Sequence, residues 1–208
     1  MRNSKIVCKK RKREKKGKES DSEAEESDNE DEKLKNLWRV RNNIYFYCDV
    51  LPAAVLKIHK IIDEIKEDAK EENQKITQLN IYINSNGGCA RSGLLLYDII
   101  RGLSCNVTTV AHGLVASAAT LLFLAGNNRL ITPNSVLLIH DVSMEIDGAL
   151  HTVKTDLKNA LNMSSDFANI YYKHSNLSKH AIRKIMKSDL ETSAKLAIKY
   201  GLAHSLTK

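Results

Sequence analysis

Ser117 is the residue of this chain best suited to act as a nucleophile. It lies among small apolar residues in the segment 113–120, GLVASAAT, which has the composition of a strand-to-helix junction. A serine at the start of a helix lies at the positive end of the helix dipole, which favours an alkoxide or an oxyanion. The alternative role is a helix N-cap, which serine often provides. The G-x-S-x-G elbow of α/β hydrolases is absent, because residues 115–119 read VASAA.

His140 is the matching candidate for a general base. It follows the apolar run 136–139, VLLI, and so lies at the end of a predicted strand. A serine nucleophile needs a base within hydrogen-bond reach and a third group that orients this base. The alternative is an ordinary solvated histidine at a strand end. His140 therefore indicates catalysis only together with its partners.

The turn SNGG at 85–88 is a candidate site for an oxyanion or a phosphate. Gly87 and Gly88 have no side chains, so their backbone amides can approach a ligand closely. Taken alone, these residues favour an ordinary turn between a strand and a helix. The turn acquires a functional meaning only if the nucleophile lies beside it.

These residues follow predicted elements that alternate between strand and helix. Aromatic and β-branched runs predict the strands, and apolar residues at a helical period predict the helices. The order βαβαβ implies parallel strands and right-handed crossovers, with the loops at the carboxyl ends gathered along one edge, where function usually lies. The predicted strands are 44–48, 79–84, 106–111, 129–131 and 136–140, and the predicted helices are 53–70, 90–103, 149–172, 178–187 and 193–200.

The composition separates a charged tail from a folded domain. The chain has 208 residues, of which 42% are hydrophobic, and this predicts one domain of ordinary size. Residues 2–18 carry ten Lys or Arg and one acid, whereas residues 19–32 carry nine acids and no base. Such blocks have little apolar surface to bury, so ordering them would cost backbone entropy without a compensating gain. We expect a disordered basic-then-acidic tail at 1–36 and a folded domain at 37–208.

The sequence also limits the metal chemistry and the compartment. The four cysteines form no CxxC pair and have no histidine at ligand spacing, so we expect no zinc site. No apolar run is long enough to span a membrane, no signal peptide follows the basic start, and the acids at 19–32 disfavour a transit peptide. We expect a cytoplasmic protein that is not secreted.

The basic run KKRKREKK within the tail resembles a nuclear-import signal, which predicts a nuclear location as an alternative. A solubilising tail whose two charged blocks attract each other is the other interpretation. A nucleic-acid-binding module is a third hypothesis, and it depends only on residues 2–18.

Several motifs between residues 40 and 206 resemble the proteolytic subunit of the Clp protease, ClpP. The strand and turn NIYINSNGG resemble that family's strand leading to INSPGG, and GLVASAATLLFLAG resembles its nucleophile segment GQAASMGAFLLAAG. The histidine segment PNSVLLIH resembles PNSRVMIH, and the end of the chain resembles RD…LSA…YGL through SD, SA and YGL. The resemblance implies an α/β fold, the ClpP/crotonase-like spiral of βαβ units with a protruding helical handle.

The resemblance also implies the chemistry of a serine endopeptidase. Ser117 would be the nucleophile, His140 the general base and Asp189 the residue that orients the imidazole, as in a Ser-His-Asp triad. The backbone N–H groups of Gly88 and Ala118 would form the oxyanion hole. No cofactor or metal is implied in this subunit.

The family's partners are implied in the same way. Members stack rings into a closed chamber, hydrolyse unfolded proteins or peptides, and work with a Clp-type ATPase that alone uses ATP. Asn86 replaces a family Pro, Asp141 replaces a family Gln, and Asn80 lies where the ATPase-docking pocket usually has an aromatic residue. The alternatives are a catalytically weak or inactive structural subunit of a mixed ring, and a crotonase-type acyl-CoA enzyme, which needs no triad.

Overall fold

The chain folds around one mixed β-sheet with helices on its surface. This computed structural model describes residues 34–189 and 191–207, and eight strands and six helices lie in that part of the chain. The strands are β1 (Leu37–Val40), β2 (Asn43–Phe46), β3 (Gln78–Ser85), β4 (Asn106–Ala116), β5 (Asn128–Ile131), β6 (Val136–Leu138), β7 (Glu191–Ser193) and β8 (Ser205–Leu206). The helices are α1 (Pro52–Glu71), α2 (Ala90–Arg101), α3 (Ala119–Leu124), α4 (Leu150–Lys173), α5 (Lys179–Met186) and α6 (Ala194–Lys199).

The centre of the sheet is parallel, as the βαβαβ order predicts. Strands β2, β3, β4 and β5 pair in parallel in that order, with α1 and α2 as crossovers. Aliphatic side chains of these strands are fully buried, for example Ile44, Ile81 and Ile83. Antiparallel pairs occur at β1–β2 and at β6–β7. The parallel core therefore directs the carboxyl ends of several strands toward one edge.

Strand β4 changes its neighbour part-way along its length. Thr108–Ala111 pairs with β5, whereas Leu114–Ala116 pairs with β6. Gly113 lies between the two halves with φ +112°, a backbone conformation that side chains disfavour, and the register with β3 also shifts near this point. The prediction of a strand at 106–111 was therefore too short by five residues. The extra half of β4 leads directly to Ser117.

The helices differ in how much surface they bury. Helix α1 packs six residues of one face against the sheet, at the spacing that its sequence predicts, and α3 is buried over its whole length. Helix α4 buries only Phe167 and Tyr171, both near its end. Its first half is exposed to solvent, so α4 is the protruding handle that the resemblance implies.

Three strands were not predicted, and the boundaries of the domain differ slightly from the prediction. Strands β1, β7 and β8 have only two to four residues, too few to show an alternating pattern. The predicted strand 136–140 ends at Leu138, so His140 lies beyond it. Leu34 is buried and its carbonyl oxygen accepts the Leu37 amide at 3.0 Å, so residues 34–36, which the prediction assigned to the tail, pack with the domain.

Several predictions concern residues outside the part that the structure describes. The disordered tail over 1–33, the nuclear-import signal and the basic block 2–18 all lie there, and they stay predictions. Within the described ranges, no helix has both the length and the apolar composition needed to cross a bilayer. In the same ranges no three His, Cys, Asp or Glu side chains are grouped as they would be around a metal ion.

Candidate active site

Ser117 forms a sharp turn between β4 and α3. Its φ of +53° is left-handed, a conformation that costs a residue with a side chain about 1–2 kcal/mol. Its N–H donates to the Leu138 carbonyl at 2.8 Å, and its carbonyl accepts from the Thr120 N–H at 3.0 Å and the Thr120 hydroxyl at 2.6 Å. The cap of α3 is Ala118, without a side-chain cap bond, so Ser117 is not the N-cap. Strain maintained by this many bonds is typical of functional turns.

Strand pairing brings the segments of Ser117, His140 and Asp189 to the same edge of the sheet. β4 pairs in parallel with β6, with Ala116 opposite Leu138, and β6 pairs antiparallel with β7, with Leu138 opposite Glu191. His140 lies two residues after Leu138 and Asp189 two residues before Glu191. The segments that carry His140 and Asp189 therefore leave the β6–β7 pair at the end where Ser117 follows β4.

The side chain of His140 is bonded to its own neighbour rather than to the other two residues. Its Nδ1 donates to the Asp141 carbonyl oxygen at 2.6 Å. Because a carbonyl only accepts, Nδ1 carries a proton in this bond, and in the neutral imidazole the lone pair is then on Nε2. Across residues 34–189 and 191–207, no hydrogen bond joins the side chain of His140 to that of Ser117 or Asp189. Asp189 is exposed and left-handed, with φ +48°.

Asp141 is held from two directions. Its N–H donates to the Met186 carbonyl at 2.8 Å, and its Oδ1 accepts the Val142 N–H at 2.8 Å. These bonds fix the main chain that follows His140 to the end of α5. The Asp141 carboxylate thus serves the local backbone, and only its carbonyl oxygen contacts the imidazole.

Gly87 lies directly against the turn at Ser117. A Cβ atom at Gly87 would lie 2.7 Å from the Ala116 carbonyl oxygen and 3.1 Å from the Ala118 nitrogen. Ser85 supports this approach, because its buried hydroxyl accepts the Gly87 N–H at 3.2 Å. Only glycine fits between these groups.

Two backbone N–H groups lie beside Ser117 without a partner. Val50 pairs with the glycine turn like a parallel strand: its N–H donates to the Gly87 carbonyl, and its carbonyl accepts the Cys89 N–H. In such a pair the N–H of Gly88 points away from Val50. Among the described residues, neither the Gly88 N–H nor the Ala118 N–H donates a hydrogen bond. Backbone amides without an internal partner are the donors that an oxyanion hole needs, although Ala118 itself is fully buried in this structure.

The sequence of the chain matches one protein family over most of its length. The model of the Clp protease family matches residues 58–208, well over half of the chain. The chain belongs to the Clp protease family. It is 32% identical over 127 residues to the ATP-dependent Clp protease proteolytic subunit of Deinococcus radiodurans, a stretch that covers 60% of this chain and 62% of that protein. The chain therefore spans less than two thirds of the length of this curated relative.

A solved structure of the Clp protease family confirms the predicted fold. A ClpP1 mutant from Listeria monocytogenes matches with a TM-score of 0.71 and 22% sequence identity, over 81% of this chain and 92% of that chain. At this identity the likeness concerns the fold alone. The α/β class and the ClpP-like architecture predicted from the sequence are thus confirmed.

Strands β1 to β3 also carry an aromatic surface. Trp38 stacks on Tyr45 at 4.8 Å between ring centroids, and Tyr45 stacks on Tyr82 at 5.0 Å. Asn80, also on β3, donates from its side-chain amide to the Asn43 side-chain oxygen at 2.8 Å. The surface is therefore aromatic over three strands and polar at its margin.

Two residues of the site were missed at the level of sequence. The hydroxyl of Thr120 bonds both to the Ser117 carbonyl and to the hydroxyl of Tyr171, at 2.6 Å and 2.7 Å. Thr120 lies in the nucleophile segment, but its spacing indicated only a helix position. Tyr171 follows the helical apolar period of α4, which predicts a core residue and no more.

Proposed function

We propose that the chain is a serine endopeptidase subunit of a ClpP-like self-compartmentalising protease. It hydrolyses peptide bonds of unfolded proteins or peptides, with Ser117, His140 and Asp189 as the catalytic triad. The observation that carries the proposal is the left-handed turn at Ser117, with Gly87 packed against it and two free amides beside it. Membership of the Clp protease family supports the same reading over a crotonase-type enzyme.

In the proposed reaction, the Ser117 hydroxyl attacks the carbonyl carbon of the scissile peptide bond. His140 takes the hydroxyl proton on Nε2 and passes it to the leaving amine as the C–N bond breaks. The N–H groups of Gly88 and Ala118 donate to the oxyanion of the tetrahedral intermediate. Water, activated by the same imidazole, then hydrolyses the acyl-enzyme and restores the serine. No cofactor or metal takes part.

Asp189 has the orienting role in this proposal. Asp189 lies two residues before Glu191, which pairs with Leu138, and His140 lies two residues after Leu138; this arrangement supports the assignment. The bond from His140 to the Asp141 carbonyl must then be exchanged for a bond to Asp189. We propose that this exchange accompanies assembly of the subunits or binding of substrate. The exchange needs the tautomer with the proton on Nδ1, which is the one that the bond to Asp141 also requires.

Self-association is the second part of the proposal. Leu150, Leu157 and Leu161 are 69%, 50% and 62% exposed and lie along one face of the handle α4. An apolar stripe of this kind on a protruding helix supports burial against other copies of the chain, in stacked rings. Partnership with a Clp-type ATPase is supported by the aromatic surface around Tyr45 and Tyr82. Such a partner would be the component that uses ATP.

A catalytically weak or inactive structural subunit is the second candidate function. The observation that favours it is the bond of His140 to Asp141 in place of Asp189. Size-exclusion chromatography coupled to a fluorogenic peptide assay separates the two, with Ser117→Ala as the control. Peptidase activity that elutes with a large assembly and disappears in Ser117→Ala supports the endopeptidase. A large assembly with equal background rates for both chains supports the structural subunit.

A further inference from the structure

The hydroxyl of Thr120 connects the nucleophile turn to the handle helix. Its Oγ1 lies 2.6 Å from the Ser117 carbonyl oxygen and 2.7 Å from the Tyr171 hydroxyl. Thr120 is 1% exposed and Tyr171 is fully buried, so water does not compete for these bonds. A side chain of α4 thus reaches Ser117 through a single intermediate residue.

The protons in this chain of bonds have a defined direction. A carbonyl oxygen only accepts, so Thr120 donates its hydroxyl proton to Ser117. Thr120 has one such proton, and the Tyr171 phenol must therefore donate to Thr120 Oγ1. Burial raises the pKa of Tyr171, so the phenol keeps its proton at neutral pH. Each donor in the series strengthens the next, because aligned hydrogen bonds polarise one another.

The peptide unit between Ser117 and Ala118 is the group that these bonds hold. The Ser117 carbonyl accepts from both the amide and the hydroxyl of Thr120. A trans peptide is planar, and its N–H points opposite to its carbonyl. No cis peptide occurs in the described residues. Fixing the Ser117 carbonyl therefore also fixes the direction of the Ala118 N–H.

Tyr171 is itself firmly placed. It packs edge-on against Phe167, with ring centroids 6.3 Å apart, and these two rings are the buried residues of α4. The phenol oxygen therefore has a fixed position relative to the sheet. Its hydrogen bond to Thr120 then restricts the position of the Thr120 hydroxyl. Tyr172, the next residue, is exposed and does not share this role.

We propose that Tyr171 and Thr120 are positioning residues that hold the Ser117–Ala118 peptide plane and aim the Ala118 N–H at the oxyanion. The inference rests on the proposed function, because the oxyanion belongs to the proposed hydrolysis. An oxyanion donor acts mainly in the transition state. If the Ala118 N–H no longer points at the oxyanion, kcat falls and KM stays nearly unchanged.

The test compares four single variants and one double variant of the full chain. Tyr171→Phe removes the donor to Thr120, and Thr120→Val removes the donor to Ser117. Thr120→Ser keeps the hydroxyl, and Tyr172→Phe removes an exposed phenol from the same helix. We expect kcat to fall about tenfold in the first two and to stay at the wild-type level in the last two. The Tyr171→Phe and Thr120→Val losses should not add in the double variant, because both break one chain of bonds.

Hydrogen exchange of the Thr120 amide provides a readout that does not need activity. This amide donates to the Ser117 carbonyl, so its exchange should accelerate in Tyr171→Phe and Thr120→Val but not in Tyr172→Phe. Unchanged exchange and unchanged kcat in Tyr171→Phe would overturn the proposal, as would a change in KM alone. A wild-type chain without peptidase activity would overturn the function, and the exchange comparison would then decide separately whether the pair holds the turn.

Discussion

Gly87 and Ser117 are in such close contact that a Cβ atom at Gly87 would lie 2.6 Å from the Cβ of Ser117. Gly87 also has φ +92°, which side chains rarely adopt. Gly87→Ala must therefore displace the turn that presents the Ser117 hydroxyl. We expect peptidase activity to fall about 100-fold, since a shift of about 1 Å in a reacting group is enough for such a loss.

Gly148→Ala is the matched control for this prediction. Gly148 also has a positive φ, +122°, but the nearest atoms to its added Cβ lie 3.7 Å away. It shares the backbone strain and lacks the collision, so we expect nearly wild-type activity. Equal rates for the two alanine variants in a fluorogenic peptide assay would show that peptidase activity does not depend on the close contact between Gly87 and Ser117.

Asp189→Asn tests which group orients His140. The asparagine amide cannot stabilise the imidazolium as a carboxylate does, so we expect kcat to fall by about 10²–10⁴. Asp141→Asn changes the carboxylate that accepts the Val142 N–H and leaves the carbonyl that holds His140, so we expect a small effect. The measurement is kcat for a peptide substrate. Wild-type kcat in Asp189→Asn would indicate that the Asp141 carbonyl orients the imidazole by itself.

His174 predicts a dependence of stability on pH. Burial, with Arg129, Lys173 and Arg101 nearby, lowers its pKa from 6.5 to about 4. Between pH 6.5 and about pH 4, His174 binds a proton in the unfolded chain but not in the folded chain. The contribution of His174 to the free energy of unfolding is therefore complete above pH 6.5 and is lost as the pH falls toward 4. We expect the urea concentration at the midpoint of unfolding to be lower at pH 5 than at pH 7.

The matched variants for this prediction are His174→Gln and His151→Gln. The first removes the titrating ring but can still hydrogen-bond to the Tyr97 hydroxyl, which lies 2.8 Å from Nε2. We expect its urea midpoint to change less with pH than that of the wild type. The second replaces an exposed histidine and should keep the wild-type dependence. Parallel curves for all three chains would contradict the role of His174.

The exposed leucines of the handle allow a test of the proposed self-association. Leu157→Glu and Leu161→Glu put a charge on the exposed apolar stripe of α4, and we expect the assembly to dissociate into smaller species. Asn159→Glu adds the same charge on the opposite face of the helix and should leave the assembly intact. Analytical ultracentrifugation at equal concentrations measures the mass. An unchanged mass in the leucine variants, with helix content retained, would remove α4 from the interface.

The parallel core and the long helices could be predicted from the sequence because their signals are local. The isoleucine-rich run of β3 and the one-sided apolar face of α1 each indicate their own secondary structure. The turn at Ser117 was also predictable as a strand-to-helix junction. Short edge strands such as β7 form because they pair with a neighbour, here β6. A strand of three residues has too little sequence to indicate this pairing.

The finer arrangement of the site was outside the reach of sequence patterns. The bond between Thr120 and Tyr171 joins residues that are 51 positions apart, so neither residue indicates the other. The change of neighbour along β4 depends on Gly113, which in the sequence looks like the end of a strand. The side chain of His140 bonds to the Asp141 carbonyl, and a sequence motif does not contain that information.

Labelling with a fluorophosphonate probe tests the role of Ser117 most directly. The probe reacts with an activated serine hydroxyl, so the wild-type chain should be labelled and Ser117→Ala should not. Ser143→Ala, which removes an exposed serine from the loop after His140, should be labelled like the wild type. Equal labelling of Ser117→Ala and the wild type, with both chains folded, would contradict the account.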